Sequence, residues 1–521
     1  MLPKQFGLST HCVCNGTSQF GKSKYCEYCI RKQIVAGNGV CLLDWHGTTY
    51  HSLVGFLAYR EPDDRPIVLI DPSASDFIVP YNPFALPLDR EPSVHVNALV
   101  AKLVRPWGET STNELPNYER IGKMLFGFMT ATGEPIHHAA KLLQFPKREL
   151  REYAISQIND DYLKQQWKTM QYIHTLKDWN GHVGSTENRL GRFLVSKSVI
   201  RFMGLPGSSI SIADCIRSGA IVLVNLARSK HLDKESAKVF ATILLSDLLD
   251  AALENAQYPK KYFLYLDECQ NYLTQDAANI LDETLKSGLR VTFIHHHPAQ
   301  FFDKPHLQQS LGINARIKTV FGGFKPEEAK GYAEELFFQE ANKRWLKEER
   351  YSYHTEYDEV GYEITSYGQG DSSGSSSGHT GETDTDHESS GLSTSWSTSS
   401  STRFVPRPVR ERDGQEDWNR EEKIAQLAER LLSLKRGECY IKTPSETIRF
   451  TVPWLTDYAR LLNSERVLEY KESLLAKANA IPAHEADKII QEAEARFLEK
   501  GRAYASVGKS RPVKKRPLFK D

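Results

Sequence analysis

An α/β fold, with a mostly parallel sheet covered by helices, follows from three features of the sequence. From Cys12 to about Trp345, short apolar runs alternate with longer amphipathic stretches, the pattern of strands joined by helical crossovers. Several of these runs end in polar residues, as strand ends beside a ligand do. A glycine-rich segment, Gly16 to Ser23, follows the first run and opens an amphipathic helix, KYCEYCIRKQIVAG.

Taken in order, the expected strands are HCVC (11–14), GVCLLD (39–44), PIVLID (66–71), AIVLVNL (220–226), YFLYLD (262–267), RVTFIHH (290–296) and IKTVFGG (317–323). They place one α/β domain in two parts, residues 1–93 and 192–350. Between them, residues 94–191 read as helix without clear strands, in pieces such as VNALVAKLVRPW and DYLKQQWKTMQYI, and so as a helical insertion. More than half of residues 365–402 are serine or threonine. Such a composition buries too little surface to offset its ordering entropy, and a disordered linker is expected. Residues 416–505 regain helical periodicity around the short runs YIKT and IRFTV, a tethered and mainly helical C-terminal region. Residues 508–521 form a basic, proline-interrupted tail.

Composition excludes several classes. The 521 residues hold 66 Lys plus Arg against 66 Asp plus Glu, so no global field draws the chain to nucleic acid or an acidic membrane. The longest apolar run, around Ala241 to Leu253, contains two aspartates and is too short to span a bilayer. No basic segment followed by an apolar stretch opens the chain, so no secretory signal is read and a cytoplasmic location is expected. Cys12, Cys14, Cys26 and Cys29 have spacings that can bind zinc. Their places on one strand face and the helix packed against it favour buried thiols.

Gly16 to Ser23 satisfies G-x-x-x-x-G-K-[ST]. In such a loop the backbone of Gly16, Thr17, Ser18, Gln19, Phe20 and Gly21 wraps phosphates with its N–H groups, and the helix N-terminus favours their charge. Lys22 reaches the β and γ phosphates and Ser23 ligates magnesium, so ATP and Mg2+ are the expected ligands. A phosphate loop needs an acidic partner on a nearby strand. Asp267 ends YFLYLD and would hold magnesium through water, while Glu268 would polarise the attacking water. The next strand ends in His295-His296-His297-Pro298-Ala299-Gln300. His296 or Gln300 can sense the γ-phosphate from there, and two other readings stay open for the triplet: local polar packing and a metal site. Asp44, His46 and Gly47 stand at another strand end, with a ligand role and a structural role equally open.

The order and spacing of these motifs resemble the FtsK/HerA superfamily of DNA-pumping ATPases, and within it the type IV coupling proteins of conjugation, the TraD/TraG group. The resemblance covers residues 9 to 345. It rests on HCVCNGTSQFGKS, LLDWHG, DPSASDFIVPYNPF, FLYLDECQNYLTQDAANILDETLKSGLRVTFIHHHPAQF and NARIKTVFGG. It implies a RecA-like motor, a homo-hexameric ring that threads DNA, and partners such as a relaxase or secretion channel, which can recruit the chain to the inner face of the membrane. The family's arginine before its lysine-glycine segment is replaced by Leu285, so Arg290 or Arg316 would take its trans-acting role. His296 stands where the family has glutamine, and the family's N-terminal membrane helices are absent. The expected function is ATP-driven DNA translocation of the conjugative type. The alternatives are a HerA-like translocase in repair, phage defence or packaging, and a non-motor nucleotide-binding switch. Lys509, Arg511, Lys514, Lys515, Arg516 and Lys520 in the tail read either as a solvated terminus or as a phosphate tether for DNA.

Overall fold

The computed structural model describes residues 10–60, 63–74, 76–87, 90–104, 116–206, 210–255, 260–274, 283–301, 304–372 and 391–509. The basic tail from residue 510 onward lies outside the described residues. The chain divides into two units, one ending at Phe337 and resuming at Leu427, the other Phe338–Gln426.

The strands in chain order are β1 Cys12–Asn15, β2 Gly39–Asp44, β3 Ile67–Ile70, β4 Phe77–Ile78, β5 Ile221–Asn225, β6 Tyr262–Leu266, β7 Leu289–Ile294, β8 Ile317–Phe321, β9 Leu346–Ser372, β10 Gly391–Asp417, β11 Glu438–Lys442, β12 Thr447–Thr451 and β13 Ile481–Pro482. In the first unit, nine of them form one sheet in the order β12-β11-β8-β1-β7-β6-β2-β5-β3. From β8 to β3 every neighbour is parallel, and all seven strands expected from the sequence are among them. A sheet covered on both faces needs strands that are apolar throughout, and β1, β2, β3, β5 and β6 are buried at every position.

Alternation along the strands feeds two cores. Cys12, Cys14, Val40 and Leu42 pack on the face covered by the helices Lys22–Val35 and Thr48–Arg60. Val13, Cys41, Leu43, Val222 and Val224 pack on the other, under the helix Lys234–Glu254 and the insertion. Cys26 belongs to the first core and Cys29 packs against it. Burial pushes the Cys12 thiol up to about 12 and raises Cys14, Cys26 and Cys29 as well.

Between β4 and β5 the described residues are helical, from Pro92–Val104 through Leu176–Leu194 to Lys197–Met203 and Ile212–Ser218. Asp160, Thr175 and Ser196 cap helices by accepting from Leu163, Asp178 and Val199. Buried Trp167 and Trp179 donate their indole N–H groups to the carbonyls of Met124 and Leu143. Lys102, buried in the insertion, reaches Asp247 on the helix beneath at 2.9 Å, and Tyr81 donates to the same carboxylate.

The C-terminal region differs from the tethered helical region expected. β11 pairs antiparallel with β8 and carries β12, so the runs YIKT and IRFTV extend the sheet. The helix Ser464–Lys477 packs on Thr48–Arg60 and β3, and Ala483–Lys509 packs on Arg148–Gln157 in the insertion. Arg201 grips Asp487 with two hydrogen bonds, and Lys141–Glu494 and Lys500–Glu134 add ion pairs. No helix among the described residues is long and apolar enough to cross a membrane.

The second unit is built around β9 and β10, paired antiparallel from end to end. Residues 365–372 and 391–402, expected to be a disordered linker, are therefore strand, while 373–390 lie outside the described residues. Thr and Tyr suit an extended backbone, and cross-strand pairs such as Tyr367 with Trp396, ring centres 4.9 Å apart, hold the two strands together.

Candidate nucleotide site

The loop from Gly16 to Gly21 leaves β1 at the carboxyl edge of the parallel strands and enters the helix at Lys22. Gly16 has φ 151° and Gly21 φ 112°. A Cβ on Gly16 would come within 2.5 Å of the Phe321 Cβ, so only glycine lets the loop lie against the end of β8. Thr17 donates its hydroxyl to the Gly322 carbonyl at 3.2 Å, and the Gly437 N–H donates to the Phe20 carbonyl at 2.9 Å. The loop is thus braced from one side by β8 and by the turn before β11. Sequence reasoning missed Gly437, because its partner lies at the other end of the chain.

The Lys22 ammonium lies inside the loop, donating to the carbonyls of Gly16 at 2.5 Å and Thr17 at 3.0 Å. It also meets His296 Nδ1 at 3.0 Å, and His296 Nε2 meets Glu268 Oε1 at 2.9 Å. With lysine as donor on Nδ1, the imidazole presents its Nε2–H to the carboxylate. One histidine therefore bridges the phosphate-loop lysine and the acidic side chain after β6. Burial lowers the Lys22 ammonium, with Cys14, Glu268 and Asp267 acting the other way. Burial also raises Glu268, but the hydrogen bonds from His296 and from Gln270, the latter at 2.6 Å, outweigh it and leave the carboxyl below its ordinary range. Gln270 is a second residue that the sequence did not single out. Glu268 itself has left-handed backbone angles, φ 47° and ψ 45°, which turn its side chain back over the strand ends.

The histidine triplet splits. His295 is buried against the Phe301 ring, and burial brings it down to about 3. His296 faces the loop. Gln300 accepts from the backbone N–H of His296 at 2.8 Å and of His297 at 3.2 Å, so it positions the bridging histidine. Among the described residues no group of three or more His, Cys, Asp or Glu side chains gathers as a metal site.

Asp267 is buried, and burial together with Asp44 and Glu268 raises its carboxyl well above the usual range. Asp44 accepts from the N–H groups of His46 at 3.0 Å and Tyr50 at 2.7 Å, so it shapes the start of the helix Thr48–Arg60 as well as adding charge beside Asp267. Ser23 is exposed on the first helical turn. A buried carboxylate held high by two others is a site that a divalent cation would relieve, and the glycine cradle beside it suits phosphates, so the residues present fit nucleotide with magnesium. Arg316 is exposed at the opposite end of β8 from Phe321, away from its own loop, and Arg290 is at the same edge of the sheet.

No family model matches the chain, and no curated protein matches it. Solved structures do. The bacterial conjugative coupling protein TrwBdeltaN70, in an unbound monoclinic form, is 13% identical over 87% of this chain and 87% of its own, with a TM-score of 0.50. The fold is that of the coupling protein TrwB. The plasmid coupling protein TrwB in complex with ADP and Mg2+ gives the same identity, coverage and TM-score. The TrwB fold is a mostly parallel RecA-like sheet with a phosphate loop, and the nine-stranded sheet described above is this chain's version of it.

Proposed function

We propose that this chain is an ATP-driven DNA translocase of the conjugative coupling type, working as a homo-hexameric ring with ATP as substrate. The observation that carries the reading is the Lys22–His296–Glu268 bridge at the mouth of a glycine cradle, on the fold of the coupling protein TrwB, which has been solved in complex with ADP and Mg2+. Ser23 and Asp267 would hold magnesium, which when bound neutralises charge on the β and γ phosphates.

Phosphates entering the cradle meet the N–H groups of residues 18 to 21, since those of Gly16 and Thr17 donate to the carbonyls of His296 and Gly322. The Lys22 ammonium then exchanges the carbonyls of Gly16 and Thr17 for phosphate oxygens and leaves His296. His296 stays on Glu268 through its Nε2–H, and its freed Nδ1, an acceptor, takes a hydrogen bond from the attacking water in front of the γ-phosphate. Glu268, kept ionised by His296 and Gln270, accepts the proton of the attacking water. Arg316, remote from its own loop, is the residue we assign to a neighbour's nucleotide, with Leu285 in the usual position.

Lys22→Ala and Glu268→Gln test the site. Both should lower ATP turnover by about 10²-fold or more, and Glu268→Gln should still bind a fluorescent ATP analogue. Wild-type turnover in Glu268→Gln removes that carboxylate from the mechanism. Turnover that DNA does not stimulate in the wild-type chain would leave a nucleotide switch in place of a motor.

A further inference from the structure

The ribbon of β9 and β10 has two long edges that no third strand covers among the described residues. Each strand runs for 27 residues. A two-stranded ribbon is at best marginally stable in water, and a long exposed edge is a template for another strand. Its surface adds to the argument. Side chains alternate between faces, and directly opposed residues share one. The register puts Tyr353, Tyr357, Tyr367, Trp396 and Phe404 on the same face, with Tyr353 71% and Trp396 70% exposed. One chain by itself leaves that aromatic face in solvent.

The charges on the strands specify what pairs there. The middle of β9 carries Glu356, Asp358, Glu359 and Glu363, and the facing stretch of β10 carries Arg403, Arg407 and Arg410. Inside the ribbon Arg407 already pairs with Glu356 at 3.2 Å and Asp358 at 3.4 Å. The outer edge of β10 therefore suits an acidic strand, and the outer edge of β9 a basic one. Pairing through a two-fold axis would set arginines against arginines or carboxylates against carboxylates. Head-to-tail pairing sets β10 of one copy against β9 of the next and repeats the attraction already present within the ribbon.

We propose that the ribbon binds the ribbon of a second copy of this chain, β10 to β9, in a head-to-tail series that closes on itself. Closure leaves no strand edge exposed. In a six-membered ring the ribbons would make a barrel of roughly twelve strands, between the filled barrels of about eight and the water-filled ones of about 16. The proposal goes beyond the nucleotide reading and stands independently of it.

Backbone hydrogen exchange on the full chain reads the edge directly. In an antiparallel ribbon alternate N–H groups point outward. At assembling concentration both sets in residues 351–367 and 396–410 should be protected, and dilution should release only the outward set. A charge-swapped chain, carrying E356R, D358R, E359R, R403E, R407E and R410E, keeps opposite charges across its own ribbon. It should assemble with itself, while its capture by tagged wild-type chain falls by about tenfold or more. Outward N–H groups that exchange quickly at every concentration overturn the proposal. So does a swapped chain that captures wild type as well as it captures itself, or protection that appears only when DNA or a different protein is added.

Discussion

Among the described residues of the site, Glu268 and Gln19 are the non-glycine residues with positive φ, at 47° and 68°. A non-glycine residue in the left-handed region costs roughly 1–3 kcal/mol, and such positions persist where the surroundings impose them. At Glu268 the surroundings are His296 and Gln270, which hold both carboxylate oxygens. His296 depends in turn on Gln300, which fixes its backbone. We expect His296→Ala to lower kcat by about 10- to 100-fold with little change in ATP affinity, since the ring positions Glu268 and the attacking water and does not hold phosphate. His296→Gln should recover most of that loss, because an amide can accept from Lys22 and donate to Glu268 as the imidazole does. Steady-state turnover beside nucleotide titration checks both, and equal losses in the two variants would make the histidine a packing residue. The placement of Lys22, Ser23, Asp267 and Glu268 at one edge of the sheet was legible in the sequence because each belongs to a local pattern with fixed spacing. His296 and Gln300 stood as alternatives, and the structure gives them separate tasks, one bridging and one holding the bridge. Gln270 and Gly437 were not legible: one is a common polar residue after a strand end, the other a lone glycine whose meaning lies in a contact across the chain.

At the scale of elements, the parallel strands were legible because a strand buried on both faces is apolar throughout. The edge strands β11 and β12 were not, since eight of their ten residues are at least partly exposed and their partner β8 is distant in sequence. The ribbon was obscured for another reason. Tyrosines at 351, 353, 357, 362 and 367 hint at extended chain, but the serine and threonine content reads as a stretch with nothing to bury. That reasoning counts contacts within one chain. The place of β11 changes what cleavage should do. A protease site inserted at Ser376 and cut to completion should give two fragments that co-elute under native conditions and part only in denaturant. The pairing of β11 with β8 and the seat of Ala483–Lys509 on the insertion both span the cut. A C-terminal fragment eluting by itself would count against that sheet order.

For the whole molecule, acid is the condition to test. Burial brings both His137 and His295 down to about 3 from 6.5, and among the described residues the two ring nitrogens of His137 lie buried without a hydrogen-bond partner. The unfolded chain takes up these protons below about pH 6.5 and the native chain does not. Their stabilising contribution is therefore full above pH 6.5 and is lost as the pH falls toward 3, at about 1.4 kcal/mol per pH unit for each ring. Melting should drop between pH 7 and pH 5, and His137→Leu should lose about 2 kcal/mol less over that interval. An equal drop in wild type and variant would mean that His137 is protonated in the native state.

The hydrogen bond from Gly437 to Phe20 joins a loop made early in synthesis to a turn made near its end. A chain emerging from the ribosome forms β1 first, but the strand beside it, β8, arrives only after the insertion has been translated, and the brace beyond, β11, only after the ribbon as well. Contacts this distant in sequence form slowly. The phosphate loop of a nascent chain thus lacks its outer wall for most of translation. A truncated product that stops before residue 437 would leave the edge of β8 bare and the Phe20 carbonyl without the Gly437 N–H, making it a substrate for quality control.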